Sequence, residues 1–125
     1  DGARPLASRQ VIAGVLEAAQ REGAATAAVK AKDTIKIAGP DGFILSTPDR
    51  DSLYLTQTPQ VFEASLYREA MEAALAAGKE YTDDCQLVEA IGRRVYLAGG
   101  DYANIKLTTP EDQIVAEALL EYAGE

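Results

Sequence analysis

Three stretches of this 125-residue chain carry residue types and spacings that could do chemistry. The first is Pro48 to Phe62, P-D-R-D-S-L-Y-L-T-Q-T-P-Q-V-F, where Arg50 sits between Asp49 and Asp51. A strand-like segment, Leu53 to Thr58, then leads to Thr58-Pro59, where a helix can begin. A cation and a row of hydroxyl and amide groups at a strand-to-helix junction is what an open α/β sheet offers at its binding crevice. The second is Asp1-Gly2-Ala3-Arg4-Pro5. Its small residues permit close backbone approach, and Pro5 biases Arg4 away from the helical region, so an acid and a base on one short loop could both meet a ligand. A solvated ion pair is the plainer account of the same residues. The third is Lys106, a cation just ahead of Thr108-Thr109-Pro110-Glu111-Asp112. The hydroxyls and amides of that turn point the same way, although a surface lysine near a terminus is the ordinary reading.

Composition narrows the classes. The chain has length for one domain with a modest core, and 47% of its residues are apolar. It has no His, which removes a histidine base or ligand, and its single cysteine, Cys85, cannot form an internal disulfide, as fits a reducing cytoplasm. With no partner base, Cys85 reads as a small buried residue on a helix face. No apolar run approaches membrane-spanning length, and the chain opens with Asp1-Gly2-Ala3-Arg4, not with a signal peptide. A formal charge of −8 argues against nonspecific nucleic-acid binding. It leaves room for an anionic small substrate, because a few focused cations in a cleft outweigh the global sign.

The elements that must position these groups follow from periodicity. Ser8 caps a predicted helix with Val11, Ile12, Val15, Leu16 and Ala19 on one stripe, ending at Gly23. Ala25 to Val29 suits a strand buried on both faces, as parallel sheets require. Thr34 to Ile37 and Phe43 to Ser46 flank Gly39-Pro40-Asp41-Gly42, a turn signal that predicts a hairpin. Such a ribbon is marginal alone, so it either closes over its own domain or lies on a neighbouring subunit. Ala64 to Ala77 predicts a helix stopped by Gly78, with Tyr67 and Met71 in the core. Thr82 is the expected cap of a helix through Ile91, where Asp83 and Asp84 favour the positive helix end more simply than they suggest a metal. Arg94 to Ala98 alternates as a strand. Thr109 as N-cap, Pro110 at the first helical position and Asp112 three residues on predict a last helix to about Tyr122 that packs Ile114, Val115, Ala118 and Leu119.

On these residues the chain resembles the C-terminal half of the 2-C-methyl-D-erythritol 4-phosphate cytidylyltransferase family. D-G-A-R-P resembles the family's H-D-A-A-R-P, and K-D-T-I-K is similar to its arm entry. D-R-D-S-L-Y-L-T-Q-T-P-Q-V-F is similar to D-R-x-x-L-W-x-x-Q-T-P-Q-x-F, T-D-D to T-D-D/E, and N-I-K-L-T-T-P-E-D to N-I-K-x-T-x-P-E-D. Tyr54 stands for the usual Trp, Pro48 for the usual Val, and Ala103 where an acid often precedes N-I-K.

The resemblance implies an α/β, Rossmann-like nucleotidyltransferase fold in incomplete form: the C-terminal part of one three-layer domain over residues 1–125, with 33–58 as a protruding β-hairpin dimerisation arm. It implies transfer of CMP from CTP to the polyol phosphate with release of pyrophosphate, Mg²⁺ as cofactor, and a homodimer joined by the arm. Arg50 and Lys106 match the cations that position the acceptor phosphate, Thr34 and Thr58 match hydroxyl contacts to it, and Asp1 and Arg4 match the loop beside ribose and acceptor. Thr34 and Arg50 would then serve the partner's site. The family's Gly-rich triphosphate loop is not among these residues, so they are expected not to catalyse alone, as a proteolytic product, an engineered piece or the ordered remainder of a longer chain. The strands of that part would neighbour Ala25 to Val29, so an exposed apolar sheet edge is expected there. A sister family that activates ribitol 5-phosphate shares much of the pattern, though the T-I-K and L-Y-x-x-Q-T-P-Q runs favour methylerythritol phosphate. A noncatalytic module dimerised by its arm is the alternative from another class.

Overall fold

A computed structural model describes residues 2–123; the expectation for Asp1 lies outside them. Helix α1, Arg9–Glu22, starts as its sequence dictates: the Ser8 hydroxyl accepts from the Val11 amide at 3.1 Å. It ends at Gly23, whose φ of +89° is a left-handed value that a side chain disfavours. Strand β1, Ala24–Lys30, follows at once and is buried along almost its whole length. Its small residues leave room for helices on both faces. Val11, Val15, Ala18 and Ala19 of α1 pack on Ala25, Ala27 and Ala98, while Ala24 meets Leu66, Ala70 and Val88 from the opposite side. The result is a three-layer α/β arrangement, with alternate β1 residues serving alternate faces.

β1 is the central strand of three. β4, Tyr54–Phe62, pairs antiparallel to it, and β5, Tyr96–Gly99, pairs parallel. The expectation of an exposed edge along Ala25 to Val29 is therefore corrected: both its neighbours come from this chain, and the open edges belong to β4 and β5. β5 also starts later than Arg94, at Tyr96: the chain turns at Ile91 and Gly92, and the Arg93 amide still donates to the Val88 carbonyl at 3.2 Å.

Two further corrections concern the middle run. The strand does not yield to a helix at Thr58-Pro59; it continues to Phe62, and α2 spans Ala64–Ala77. Proline is tolerated because pairing is irregular there: Thr26 opposes Gln60 while Ala28 opposes Thr56, so β4 carries extra residues around Thr58-Pro59. The Thr58-Pro59 bond is cis. In addition, Tyr54 onward belongs to the main sheet, so the excursion that forms the arm closes at Leu53, whose carbonyl accepts from the Ala31 amide at 3.0 Å.

The arm is a two-stranded ribbon, β2 Ile37–Ala38 and β3 Ile44–Ser46, shorter on its first strand than Thr34 to Ile37. Gly39 donates to the Phe43 carbonyl at 2.9 Å and Gly42 to the Gly39 carbonyl at 3.0 Å, as the turn signal required. Phe43 is 73% exposed and Ile37, Ile44 and Leu45 are also exposed, so the arm does not fold over its own domain.

Glu63, not a hydroxyl residue, caps α2: its carboxylate accepts from the amides of Ser65 and Leu66 and from the Ser65 hydroxyl, which holds its pKa below the ordinary value. Leu66 and Ala70 face the core, whereas Met71 is exposed and Tyr67 is half-buried with its ring against Phe62, so the expected core stripe is only partly realised. α3, Asp84–Ala90, is capped by Asp83 and not by Thr82: Asp83 accepts from the Gln86 amide at 3.0 Å while the Gln86 side chain accepts from the Thr82 amide at 2.8 Å. Cys85 on this helix is buried, and its thiol is pushed up to about 12, by burial first and by the Asp83 charge second.

α4, Pro110–Ala123, begins as read from the sequence. The Asp112 carboxylate accepts from the Thr108 amide and hydroxyl and from the Thr109 amide at 2.9–3.0 Å. Those bonds lower its pKa, Thr108 contributing most. A depressed carboxylate stabilises the fold above its unfolded pKa of about 3.9 and loses that effect as pH falls through the lower folded value. The Thr108 and Thr109 amide shifts are expected to titrate together below the ordinary aspartate range, and Asp112→Asn is expected to abolish that transition; amide titration by NMR checks both. Past its first turn α4 departs from expectation: Ile114, Val115 and Ala118 are exposed and only Ala116 is buried, since none of the described residues covers that stripe.

Candidate active-site cleft

A cleft of about 440 Å³ lies along the irregular part of β4, where Gln60 pairs with Thr26 and Thr56 with Ala28 of β1. β4 supplies Thr56, Gln57, Thr58 and Gln60, the segment entering α3 supplies Tyr81, Thr82, Asp83, Asp84 and Leu87, and the two terminal loops supply Arg4 and Lys106.

Arg4 and Lys106 meet through paired backbone. Leu107 donates to the Ala3 carbonyl at 2.7 Å, and Arg4 Nη1 donates to the Asn104 carbonyl at 2.6 Å. Partial burial lowers the Arg4 pKa, yet a guanidinium stays charged at any physiological pH. Behind these cations lies a buried polar cluster. Asn104, 0% exposed, donates through Nδ2 to the Thr58 carbonyl at 2.8 Å and to Gln57 Oε1 at 3.2 Å. Gln57 Nε2 donates in turn to the Asp101 carbonyl at 2.9 Å. Strand β4 is thereby fastened to the loop that carries Lys106. Asn104 Oδ1 is buried without a partner, so the cluster is held through its amide nitrogen.

Gly100 makes this fit possible. A Cβ there would lie 2.6 Å from Gln57 Oε1 and 3.0 and 3.1 Å from the Ala28 backbone O and N. Neither can retreat, since Gln57 is hydrogen-bonded at both ends of its amide and Ala28 is central strand. Gly100→Ala is expected to destabilise by about 1–3 kcal/mol, read as a lower urea midpoint, through overpacking against backbone.

Of the residues singled out from sequence, the fold brings Arg4, Thr58 and Lys106 together. Arg50 and Thr34 lie elsewhere, at the base of the arm. Arg50 forms the short 3₁₀ turn Arg50–Ser52, capped by Asp49, and its Nη1 donates to the Lys32 carbonyl at 3.0 Å. Within one protomer, then, Arg50 and Lys106 do not line one cleft. The residues missed were Gln57 and Asn104, although a glutamine inside an apolar-alternating strand and an asparagine before Ile105-Lys106 were visible signals of a buried polar contact.

Two acids, Asp83 and Asp84, line the same cleft as the cations. Asp83 is engaged as a helix cap, and Asp84 accepts from the Tyr67 hydroxyl at 3.0 Å; burial first and this bond second raise the Tyr67 pKa. Among the described residues no three His, Cys, Asp or Glu side chains group as a metal site, so this donor set alone does not fit Mg²⁺. Two cations beside four polar β4 side chains suit an anionic ligand that can also form hydrogen bonds.

A central strand between an antiparallel and a parallel neighbour, with helices on both faces, forms part of a Rossmann-like α/β fold. The family model for 2-C-methyl-D-erythritol 4-phosphate cytidylyltransferase matches residues 1–122, and the chain belongs to that family. It is 48% identical to the enzyme of that name from Desulforamulus reducens over 96% of this chain and 51% of the relative. The Caldanaerobacter subterraneus enzyme is 52% identical over 96% of this chain and 53% of its own length. The crystal structure of the Thermus thermophilus enzyme superposes with a TM-score of 0.84 at 43% identity, covering 94% of this chain and 57% of that one. For 4-diphosphocytidyl-2C-methyl-D-erythritol synthase from Anaerococcus prevotii the values are 0.88, 41%, 97% and 56%. The chain spans about half the length of the curated relatives it matches. No described helix is long and apolar enough to cross a membrane.

Proposed function

We propose that this chain forms the acceptor-binding part of a cytidylyltransferase acting on 2-C-methyl-D-erythritol 4-phosphate in isoprenoid precursor synthesis. An oxygen of the acceptor phosphate attacks the α-phosphorus of CTP, the bond to the β-phosphate breaks, and pyrophosphate leaves. The nucleophile is already an oxyanion, so no protein base is required. What the protein must supply is aim and charge compensation. Lys106 and Arg4 hold the acceptor phosphate, and Thr58 offers a hydroxyl contact. The convergence of Arg4, Thr58 and Lys106 from three distant parts of the sequence into one cleft carries this reading.

Arg50 and Thr34 complete the acceptor site of a second subunit in a homodimer. Support comes from their place at the base of an arm whose apolar residues point away from their own domain. Mg²⁺, expected with CTP from family resemblance, has no shell of its own in the described residues, and the roles given to Arg4, Thr58 and Lys106 do not depend on it. A single buried thiol accords with a cytoplasmic enzyme.

The test is turnover by the full-length protein with CTP and each of two acceptors, methylerythritol phosphate and ribitol 5-phosphate. Release of pyrophosphate with the first and little with the second is the expected result. Preference for ribitol 5-phosphate would move the protein to the sister activity, and dimerisation without binding of CTP or either acceptor would leave a noncatalytic assembly module. Arg50→Ala is expected to raise the acceptor KM about tenfold or more, as loss of one charge-assisted contact does. Mixed dimers of Arg50→Ala and Lys106→Ala subunits should regain up to about a quarter of normal activity if the arm works in trans, because one of the two sites then has both cations. The 125-residue chain alone is expected to give no turnover.

A further inference from the structure

Tyr102 lies in the loop after β5, two residues before Asn104. Its hydroxyl donates to the Lys30 carbonyl at 2.7 Å, and the Lys32 ammonium lies 3.8 Å from its ring centroid. Lys30 to Lys32 is where the chain leaves the sheet to become the arm. The same short segment is held from the other side by Arg50, which donates to the Lys32 carbonyl at 3.0 Å, and by the bond from the Ala31 amide to Leu53. Between Tyr102 and the arm entry a hollow of about 350 Å³ is lined by Ala31, Lys32, Asp33, Ile35 and Leu55. The phenol ring is the strut across it. At its other end the strut stands on the loop Asp101–Lys106, which Asn104 and Gln57 lock to β4 and which forms the cleft wall.

We propose that Tyr102 is a positioning residue: it clamps the base of the arm, with Arg50 and Thr34, at a fixed angle to its own domain, and so sets how those two residues reach the partner's acceptor site without itself touching the acceptor. This rests on the reading of the cleft and arm given above. A hydrogen bond fixes direction and a cation over a ring fixes distance, and neither contact belongs to the hydrophobic cores beneath the helices. Because Tyr102 is 47% exposed, water competes for its hydroxyl and the effect of losing that bond alone is modest.

The experiment uses the full-length protein with Tyr102→Phe, which keeps the ring and removes the bond to Lys30, and Tyr102→Ala, which removes both contacts. Acceptor KM is expected to rise about threefold in the first and about tenfold in the second, with kcat and the CTP KM within about twofold. Amide hydrogen exchange provides a readout independent of activity. The Ala31 and Asn104 amides should lose protection together in Tyr102→Ala, while Val15 in α1 keeps its own. A drop in thermal stability with kcat and all KM values unchanged would assign Tyr102 a purely structural part and overturn the proposal. So would unaltered exchange at Ala31 in Tyr102→Ala. If the unmodified protein transfers cytidylyl to no polyol phosphate, the functional reading fails, and the exchange result still decides the clamp.

Discussion

In the full-length protein, Lys106→Ala is expected to lower kcat/KM for the acceptor by about 10²–10³ while the CTP KM changes by less than about twofold. The asymmetry follows from position. Lys106 lines the cleft together with Arg4, the polar side chains of β4 and two aspartates, the site proposed above for the acceptor. Removing its ammonium leaves Arg4 as the one cation among the described residues that line the cleft, with Asp83 and Asp84 also on its lining. Lys106→Arg should recover part of the loss, since charge returns but the planar fork does not reproduce a compact point charge. Raising salt should weaken acceptor binding in the normal protein more than in Lys106→Ala, because an exposed cation is screened. Steady-state kinetics with each substrate varied in turn decide the matter; an acceptor kcat/KM within about twofold of normal would remove Lys106 from the site.

Asn104→Ala should give the largest loss of stability of any single change near the cleft. Its Nδ2 serves two buried acceptors, the Thr58 carbonyl at 2.8 Å and Gln57 Oε1 at 3.2 Å, and truncation removes both bonds while opening a void, leaving Gln57 Oε1 a longer bond from the Asp101 amide at 3.4 Å. Stranding costs about 1–3 kcal/mol for each acceptor that water cannot reach, and the Gln57 amide can still bond Asp101, so a total of about 2–4 kcal/mol is expected. Against a domain stability of about 5–15 kcal/mol that is a large share. Urea denaturation reads it directly. Asn104→Asp is expected to be worse than alanine, because the lost amide donor becomes a buried carboxylate beside two acceptors. A loss below about 0.5 kcal/mol in Asn104→Ala would mean that β4 and the Lys106 loop are not fastened by this side chain.

The readable parts of the sequence were those governed by local physics. The α1 start at Ser8, the α2 stop at Gly78 and the Thr109-Pro110-Asp112 entry to α4 depend on residues within one turn of each other, and all three stand as read. Misreadings arose where distant segments decide. Pro59 suggested a helix start, but the extra residues of β4 absorb it inside a strand that β1 holds in place. Thr82 and Asp83 are both good caps, and the extended backbone of Asp83, φ −146° and ψ 167°, settles the choice one residue later. The apolar stripe of α4 is regular in sequence, yet periodicity tells only that a face is apolar, not that this chain covers it. Motif resemblance marked Arg4, Thr58 and Lys106, which the fold gathers, and also Arg50 and Thr34, which it keeps apart at the arm. Gln57 and Asn104 went unremarked because a residue that matters by what it holds, and not by its own reactivity, has no type that announces it.

The alanine-rich centre of the sheet has a consequence for how this molecule can change. Alanine surrenders no rotamer freedom on folding, so Ala24, Ala25, Ala27 and Ala28 come to order at the cost of main-chain entropy alone, while the bulk pressed on them comes from Val15 and Leu66. Adaptation through larger residues is closed at Ala24, Ala25 and Ala27, because each already meets the helical layer on its own face. It remains open on the helices, where a volume change can spread outward through a whole layer. Over generations the middle of this sheet should stay small and monotonous while its wrapping drifts.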